Sequence, residues 1–484
     1  MTFGSTITGA EMAVVDANAA ALGVPPKQLM ESAGGAIGRT VREMRDPDDR
    51  VEIVAGTGNN GGDALVAARF LEALDLRVTL LGQPDAISTT IARENWDALD
   101  RTGIETRTVS DSTAFDLDDP DVIVDAMLGT GISGALREPV ATAAAAINDA
   151  DAMVLSVDVP SGLDATAGTL AEGAVEPDRV VTFHKPKPGL AELAVPVEVA
   201  DIGIPDAAEG VVESGDLLWL SRPVDSHKGE FGEVLVVGGG PYTGAPALAA
   251  QSALRAGADL VRVACPESIA DTVGGYSENL IVRPFAGDCF ESDAVDHVLE
   301  LATAHDTVVL GPGLGRTEPT LDAARNFLAE FDGTAVVDAD PLGVVPEVET
   351  DATLICTPHR GEFERMGGRS ADDVDDRADA VAELAADLDV TLLVKGPTDV
   401  ISDGKRTRLN RTGNPGMTVG GTGDVLAGVT GALAATLDSH PAAGLGAYVT
   451  GRAGDLAVDD RGYGLVATDL LDRVPTAMWD ERER

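Results

Sequence analysis

Only three cysteines occur in the 484 residues, Cys265, Cys289 and Cys356, and no two stand in CxxC spacing. That excludes a disulfide framework and offers no zinc site, so free, buried thiols are expected. No apolar run approaches the ~20 residues of a membrane-spanning helix. The N-terminus also lacks a basic start followed by an apolar stretch. A soluble, cytoplasmic protein with no membrane partner is the expectation. Cationic charge is scarce too: 35 Lys and Arg face 81 Asp and Glu, for a net charge of -46. Such a field repels nucleic acid, and would repel a phosphorylated ligand as well unless concentrated salt screened it. The carboxylates are spread through every segment rather than gathered in one tail, which reads as a surface suited to a salt-rich cytoplasm. What remains is globular: 44% of residues are hydrophobic, and the length is too great for one core.

Short β-branched runs alternate with Ala-rich helical stretches from end to end. Val51–Ala55, Arg77–Leu81, Val122–Asp125 and Met153–Val157 are followed by Val234–Val237, Leu260–Ala264, Thr307–Leu310, Thr334–Val337, Thr353–Cys356 and Thr391–Val394. This alternation predicts α/β architecture, with parallel sheets covered by helices on both faces. It lapses between about Gly203 and Phe231, where Ile204-Pro205-Asp206, Arg222-Pro223 and His227-Lys228-Gly229 give turn chemistry. Two domains are therefore expected, 1–215 and 216–484.

The most informative stretch is Asn414-Pro-Gly-Met-Thr-Val-Gly-Gly-Thr-Gly-Asp424, which leads directly into the apolar run Val425–Gly428. Amides freed by Gly420, Gly421 and Gly423 can converge on an anion at a helix N-terminus, which is a place for phosphate. Asp424 stands where a carboxylate could take a proton from a hydroxyl as that oxygen attacks phosphorus. Alternatively it is a helix N-cap in a glycine-rich turn.

In the first half, the strand Val51–Ala55 runs into Gly56-Thr-Gly-Asn-Asn-Gly-Gly-Asp63 and then a helical stretch, Ala64–Leu74. Gly56, Gly58 and Gly61 satisfy the dinucleotide fingerprint, but the ribose-binding acid that should follow the next strand is missing unless Asp85, in a turn, serves. Asn60 could instead ligate a cation through its side-chain carbonyl, or bond its own backbone. Asp125, before Gly129-Thr-Gly-Ile-Ser-Gly134, and Asp158, before Ser161-Gly162, lie at C-terminal strand tips, where open parallel sheets bind ligands.

With Leu29-Met-Glu-Ser-Ala-Gly34, Gly58–Asp63, Asp125 with Gly129-Thr-Gly131, and Val157-Asp-Val-Pro-Ser-Gly162, the first half resembles the epimerase domain of bifunctional NAD(P)H-hydrate repair enzymes, a Rossmann-like open sheet. The resemblance implies a potassium ion on Asn60, Asp125 and Ser161. It implies substrate contacts from Asn59, Asn60, Gly61, Gly62 and Asp63, from the loop Gly129, Thr130, Gly131, Ile132, Ser133, Gly134 and Ala135, and from Asp158, with Asp158 as acid or base. Lys185 or Lys187, in Thr182-Phe-His-Lys-Pro-Lys187-Pro-Gly189, is an implied anion contact. Ala64 replaces a glycine usual in the family.

From His227 onward the chain resembles the partner domain, an ADP-dependent NAD(P)HX dehydratase of ribokinase-like fold. Ala245, after Gly238-Gly-Gly-Pro-Tyr-Thr-Gly244, would line the substrate pocket with Gly313 and Gly315. His359, in Thr357-Pro-His-Arg-Gly-Glu362, would touch the hydrated ring. Lys395, Gly396, Pro397, Thr398, Asp399 and Gly423 would hold the nucleotide, ADP or possibly ATP, with magnesium on its phosphates. Asp424 would be the base. The implied partners are NADHX or NADPHX and the nucleotide, and a homo-oligomer is expected. Two other readings stay open: a small-molecule kinase using the same Gly-Thr-Gly-Asp logic, and a non-catalytic interaction module in the first half.

Overall fold

The computed structural model describes residues 4–131 and 134–479. They form two compact units, one running to Ala208 and one beginning at Glu209. Residues just ahead of the 215/216 division expected from sequence pack with the second unit. The Val212 amide donates to the Leu409 carbonyl at 2.8 Å, and Arg408 grips the buried Asp216 carboxylate with both terminal nitrogens.

In the first unit, β1 (Arg50–Ala55), β2 (Asp75–Leu81), β3 (Glu105–Val109), β4 (Val122–Ala126), β5 (Met153–Val157), β6 (Arg179–Phe183) and β7 (Val197–Ala200) lie in the order β3-β2-β1-β4-β5-β6-β7. All their pairings are parallel. The order reverses between β1 and β4, so the loops leaving those strands open the crevice where such sheets bind ligands. Helix α1 (Gly9–Ala21) packs on α2 (Pro26–Met44), and α2 and α3 (Asn59–Phe70) pack on the sheet. A reciprocal Thr8–Glu11 capping box fixes the start of α1.

The second unit carries β8 (Glu233–Val237), β9 (Leu260–Pro266), β10 (Ile281–Phe285), β11 (Thr307–Leu310), β12 (Thr334–Val337), β13 (Thr353–Cys356), β14 (Thr391–Val394), β15 (Asp399–Ser402) and β16 (Thr407–Asn410). Their order is β10-β9-β8-β11-β12-β13-β14-β15-β16, parallel up to β14 and antiparallel over the last two pairings. The period of two along a strand splits the core between faces. Val234 and Val236 join one apolar cluster, Leu235 and Val237 the other. Here too the order reverses, between β8 and β11.

The helix Thr422–Ala434 is buried on every side from Val425 onward. A Cβ at Gly428 would lie 2.0 Å from the Ala249 carbonyl, so glycine lets this helix seat directly on the helix Gly244–Arg255. The packing holds Asp424, in its first turn, on a rigid element. Every strand expected from the sequence is present, and β3, β6, β7, β10, β15 and β16 are added. Cys265 and Cys356 are buried as expected, but Cys289 is partly exposed and donates to Glu291 at 3.2 Å.

Candidate active sites

Strand β1 ends at a glycine for a steric reason. A Cβ on Gly56 would meet the Met127 carbonyl at 1.9 Å, and one on Gly61 the Gly56 carbonyl at 2.0 Å. The loops after β1 and β4 thus close on each other, and α3 begins earlier than the sequence suggested, with Gly58 as N-cap. Asn59–Asp63 form its first turn, not an open loop. Asn59, Asn60 and Asp63 line a cavity of about 790 Å³, together with Gly129–Gly131 and Asp158. Gly61 and Gly62 are buried instead, Gly62 against Ala92 and Met30. Gly134 and Ala135 are exposed, while Ile132 and Ser133 lie outside the described residues.

Below this crevice, Asp125 is fully buried and accepts from Ser161 Oγ at 2.5 Å, Ser161 N at 2.9 Å, Ser156 Oγ at 2.8 Å and Met127 N at 3.3 Å. Burial pushes its pKa up against those four donors. The Asn60 amide donates to the carbonyls of Leu128 and Val157 at 2.7 and 3.1 Å, and Leu128 N donates to Ser161 Oγ at 3.0 Å. Asn60 Oδ1 is then left buried with no hydrogen-bond partner. A buried orphan oxygen, on a side chain linked through Leu128 to the Ser161 hydroxyl and from there to the Asp125 carboxylate, suits a cation.

Asp158 follows β5 with φ +65°, a strained value for a residue with a side chain. The Lys187 ammonium lies 2.5 Å from Asp158 Oδ1 and also donates to Thr182 Oγ at 3.0 Å and the Phe183 carbonyl at 3.2 Å. Thr182 in turn donates to Asp158 Oδ1 at 3.0 Å. Lys187 is 1% exposed and is the buried partner of Asp158 at the edge of the cavity. Lys185 reaches the Gly4 carbonyl instead, at 3.2 Å. Asp16 of α1 also lines the cavity and drew no attention in the sequence. Burial raises its pKa to about 6, while Lys187 and His184 pull the other way and Asp158 adds to the rise.

In the second unit, the loops after β8 and β11 are pressed together at the reversal. Gly239 N donates to the Pro312 carbonyl at 2.9 Å, and a Cβ on Gly313 would meet the Tyr242 carbonyl at 2.6 Å and the Ala245 methyl at 3.1 Å. Gly315 is buried against Pro241. Asp338, one residue past β12, is 3% exposed and accepts from Thr357 Oγ at 2.7 Å and Lys395 Nζ at 3.0 Å. The next residue, Ala339, has φ +60°. Burial works against the Lys395 charge, but Asp338, Glu362 and Asp424 outweigh it and hold its pKa high. Both Lys395 Nζ and Asp338 Oδ2 lie within 4 Å of a Cβ built on Gly423. Sequence reasoning missed Asp338. Its signal was an acid at a strand tip, the same signal that had marked Asp125.

Gly421, at φ +99°, is the N-cap of the helix Thr422–Ala434, which places Asp424 inside the first turn and excludes the alternative that it caps the helix. Burial, and then the Asp338 charge, push the Asp424 pKa up to about 7 against the pull of Lys395. A carboxyl there exchanges its proton readily at neutral pH. His359 caps the helix Arg360–Arg365; its Nδ1 accepts from Gly361 N and Glu362 N at 3.0 and 3.2 Å, which leaves Nε2 to carry the proton of a neutral ring. His359 and Lys395 are joined by a backbone bridge, and Lys395 N donates to the Pro358 carbonyl at 2.8 Å. Gly396 and Pro397 are exposed, whereas Asp399 closes their turn by accepting from Gly396 N and Asn410 Nδ2, each at 2.9 Å. Asp399 thus shapes the proposed nucleotide loop from beneath.

Comparison with known proteins falls along the same two units. Residues 26–189 match the family described as YjeF-related protein N-terminus, and residues 234–476 match the NAD(P)H-hydrate dehydratase family. The bifunctional NAD(P)H-hydrate repair enzyme Nnr of Archaeoglobus fulgidus is 42% identical over 98% of both chains. Its counterpart from Methanothermobacter thermautotrophicus is 43% identical over 97% of this chain and 94% of its own. Among solved structures, an ADP/ATP-dependent NAD(P)H-hydrate dehydratase from Bacillus subtilis, co-crystallised with ATP and magnesium, superposes with a TM-score of 0.50 at 26% identity. It covers 56% of this chain and 98% of its own.

Proposed function

Because the chain belongs to the bifunctional NAD(P)H-hydrate repair family, we propose that it returns hydrated nicotinamide cofactors to use. The first unit interconverts the (R) and (S) forms of NADHX or NADPHX. The second dehydrates the (S) form at the expense of a nucleotide, ADP or ATP. The observation that carries this is Asp424, a carboxyl with pKa about 7 in the first turn of a helix that starts at Gly421, with the Lys395 charge near it.

Hydration leaves a hydroxyl on C6 of the ring, and hydroxide is a poor leaving group at neutral pH. Ionised Asp424 takes the hydroxyl proton as its oxygen attacks the terminal phosphorus of the nucleotide. The amides at the start of the helix and the Lys395 ammonium stabilise the charge on the transferring phosphoryl group. Phosphate then leaves C6 with the bonding pair while C5 gives up a proton to solvent, which re-forms the ring double bond, so ADP yields AMP and phosphate. Lys395, Gly396, Pro397, Thr398, Asp399 and Gly423 are the proposed nucleotide site; Ala245, Gly313, Gly315 and His359 border the ring.

Magnesium, when bound, neutralises the nucleotide phosphates. The described residues contain no group of three His, Cys, Asp or Glu able to hold a metal ion, which suits an ion carried mainly by phosphate and water. In the first unit, Asn60, Asp125 and Ser161 would hold potassium, with the orphan oxygen of Asn60 as the available ligand. A cytoplasmic location and a homo-oligomeric state belong to the same reading. No described helix is long and apolar enough to cross a membrane.

The test is an assay of the purified protein with chemically hydrated NADH and ADP. Recovery of dihydronicotinamide absorbance with stoichiometric AMP and free phosphate supports the reading. A stable phosphorylated product would identify a small-molecule kinase instead.

A further inference from the structure

Epimerisation must remove one proton and deliver another, yet the first cavity offers few groups able to do so. Among the described residues that line it, only Asp16, Asp63, Asp158 and Lys187 carry ionisable side chains. Lys187 has three N–H donors, and Asp158, Thr182 and Phe183 occupy all three. It cannot reach a substrate without dismantling the support of Asp158. Asp63 is pushed well above the ordinary carboxylate range by burial and by the charges of Asp158 and Asp16, so it gives up a proton less readily than an ordinary carboxyl. Asp16 is different. It sits on α1, whose start is fixed by its capping box and pressed against the substrate loop, since a Cβ on Gly9 would lie 3.0 Å from the Thr130 side chain.

Resting on the epimerase reading of this unit, we propose that Asp16 is the second proton-transfer group of the epimerisation, paired with Asp158 in one cavity. C6 of the hydrated ring bears both the hydroxyl and ring nitrogen N1. Ionised Asp158 takes the hydroxyl proton while the C6–N1 bond breaks. The bonding pair stays on N1, which takes the proton of neutral Asp16, leaving an aldehyde at C6 and an N–H at N1. Rotation about the C5–C6 bond presents the other face of the aldehyde. N1 then attacks C6, its proton returns to Asp16, and the carbonyl oxygen recovers its proton from Asp158. No atom enters or leaves, and both carboxyls return to their starting states. The groups facing Asp16 are Lys187 and His184 beyond β6, Asp158 beyond β5 and Asp63 on α3. Burial, opposed by Lys187 and His184 and aided by Asp158, leaves it with a pKa of about 6, so it can hold or release a proton near neutrality.

The experiment uses the full chain with ADP and either (R)- or (S)-NADHX, with dehydration reporting how fast the (R) form is converted. Asp16→Asn is expected to slow consumption of the (R) form by roughly 100-fold or more while (S) is consumed normally, and Asp16→Glu to recover part of the loss. Wild-type epimerisation should also decline as pH rises above about 6, because the acid form of Asp16 is depleted, and the residual rate of Asp16→Asn should lack that decline. An Asp16→Asn rate within about threefold of wild type, or an unchanged pH limb, overturns the proposal; so does a glutamate variant that recovers nothing. A wild-type protein that consumes (R) no faster than its spontaneous conversion overturns the epimerase reading itself, whatever Asp16 does.

Discussion

Asp338 Oδ1 and Lys395 Nζ lie 3.0 Å apart, each one residue beyond the end of a strand in the second sheet, β12 and β14. The pair sets the electrostatics of the candidate base, because the Asp338 charge raises the Asp424 pKa and Lys395 lowers it. In Asp338→Asn, Lys395 loses its buried partner and Asp424 loses its like-charged neighbour. The ascending limb of dehydration, which follows ionisation of Asp424 near pH 7, should move to lower pH by roughly one unit. Rates measured across pH 5 to 9 in wild type and variant, on the order of one point per half unit, check this.

The same displaced ionisation affects stability. Asp424 has a folded pKa of about 7, above the ~4 of an unfolded chain, so the folded state binds its proton more tightly. Its contribution is therefore present at low pH and is lost as pH rises from about 4 through 7. Asp424→Asn should melt a few degrees higher than wild type at pH 8, with the difference shrinking toward pH 4. Thermal unfolding at both pH values decides it.

In the first unit, Asp158→Asn should cut epimerisation by roughly 10²- to 10⁴-fold and leave dehydration of (S)-NADHX unchanged. Lys187→Met, which strips the Asp158 carboxylate of its ion pair, should cut epimerisation as well and lower the melting temperature. Separate rates for the two epimers measure the first effect, and a melting curve the second.

How far the sequence revealed these sites depended on how local the signal was. Asp125, Asp158 and Asp424 were legible because each sits beside glycines at a strand end or helix start, a pattern confined to about ten consecutive residues. Asp16 was not, and Lys187 was singled out without its pairing to Asp158, because what makes both matter is burial against residues far along the chain. The edge strand Val197–Ala200 was missed for a related reason. It shows no continuous apolar run, because Glu198 pairs with Arg179 of the neighbouring strand at 2.6 Å. The start of α3 escaped because Asn-Asn-Gly-Gly reads locally as a turn, whereas packing of Gly61 on Gly56 favours a helix there.

The orphan oxygen of Asn60 gives a cation prediction. Epimerisation should be faster in potassium than in an equal concentration of a bulky organic cation, and Asn60→Ala should remove most of that difference. Initial rates in the two salts, for both proteins, check it.

A net charge of -46 implies strong self-repulsion at low ionic strength. The melting temperature should therefore rise as KCl increases from about 0.1 M to 1 M, over which the screening length falls from ~10 to ~3 Å. Calorimetry across that series reads it directly.

The most direct measurement concerns Asp424. (S)-NADHX and ADP are mixed with saturating wild-type protein or Asp424→Asn, and dihydronicotinamide absorbance and phosphate release are followed together. Wild type should yield both products in equal amounts and the variant should lose both rates by roughly 10²-fold or more, with the protein still folded. A variant that regenerates reduced coenzyme at the wild-type rate would contradict it.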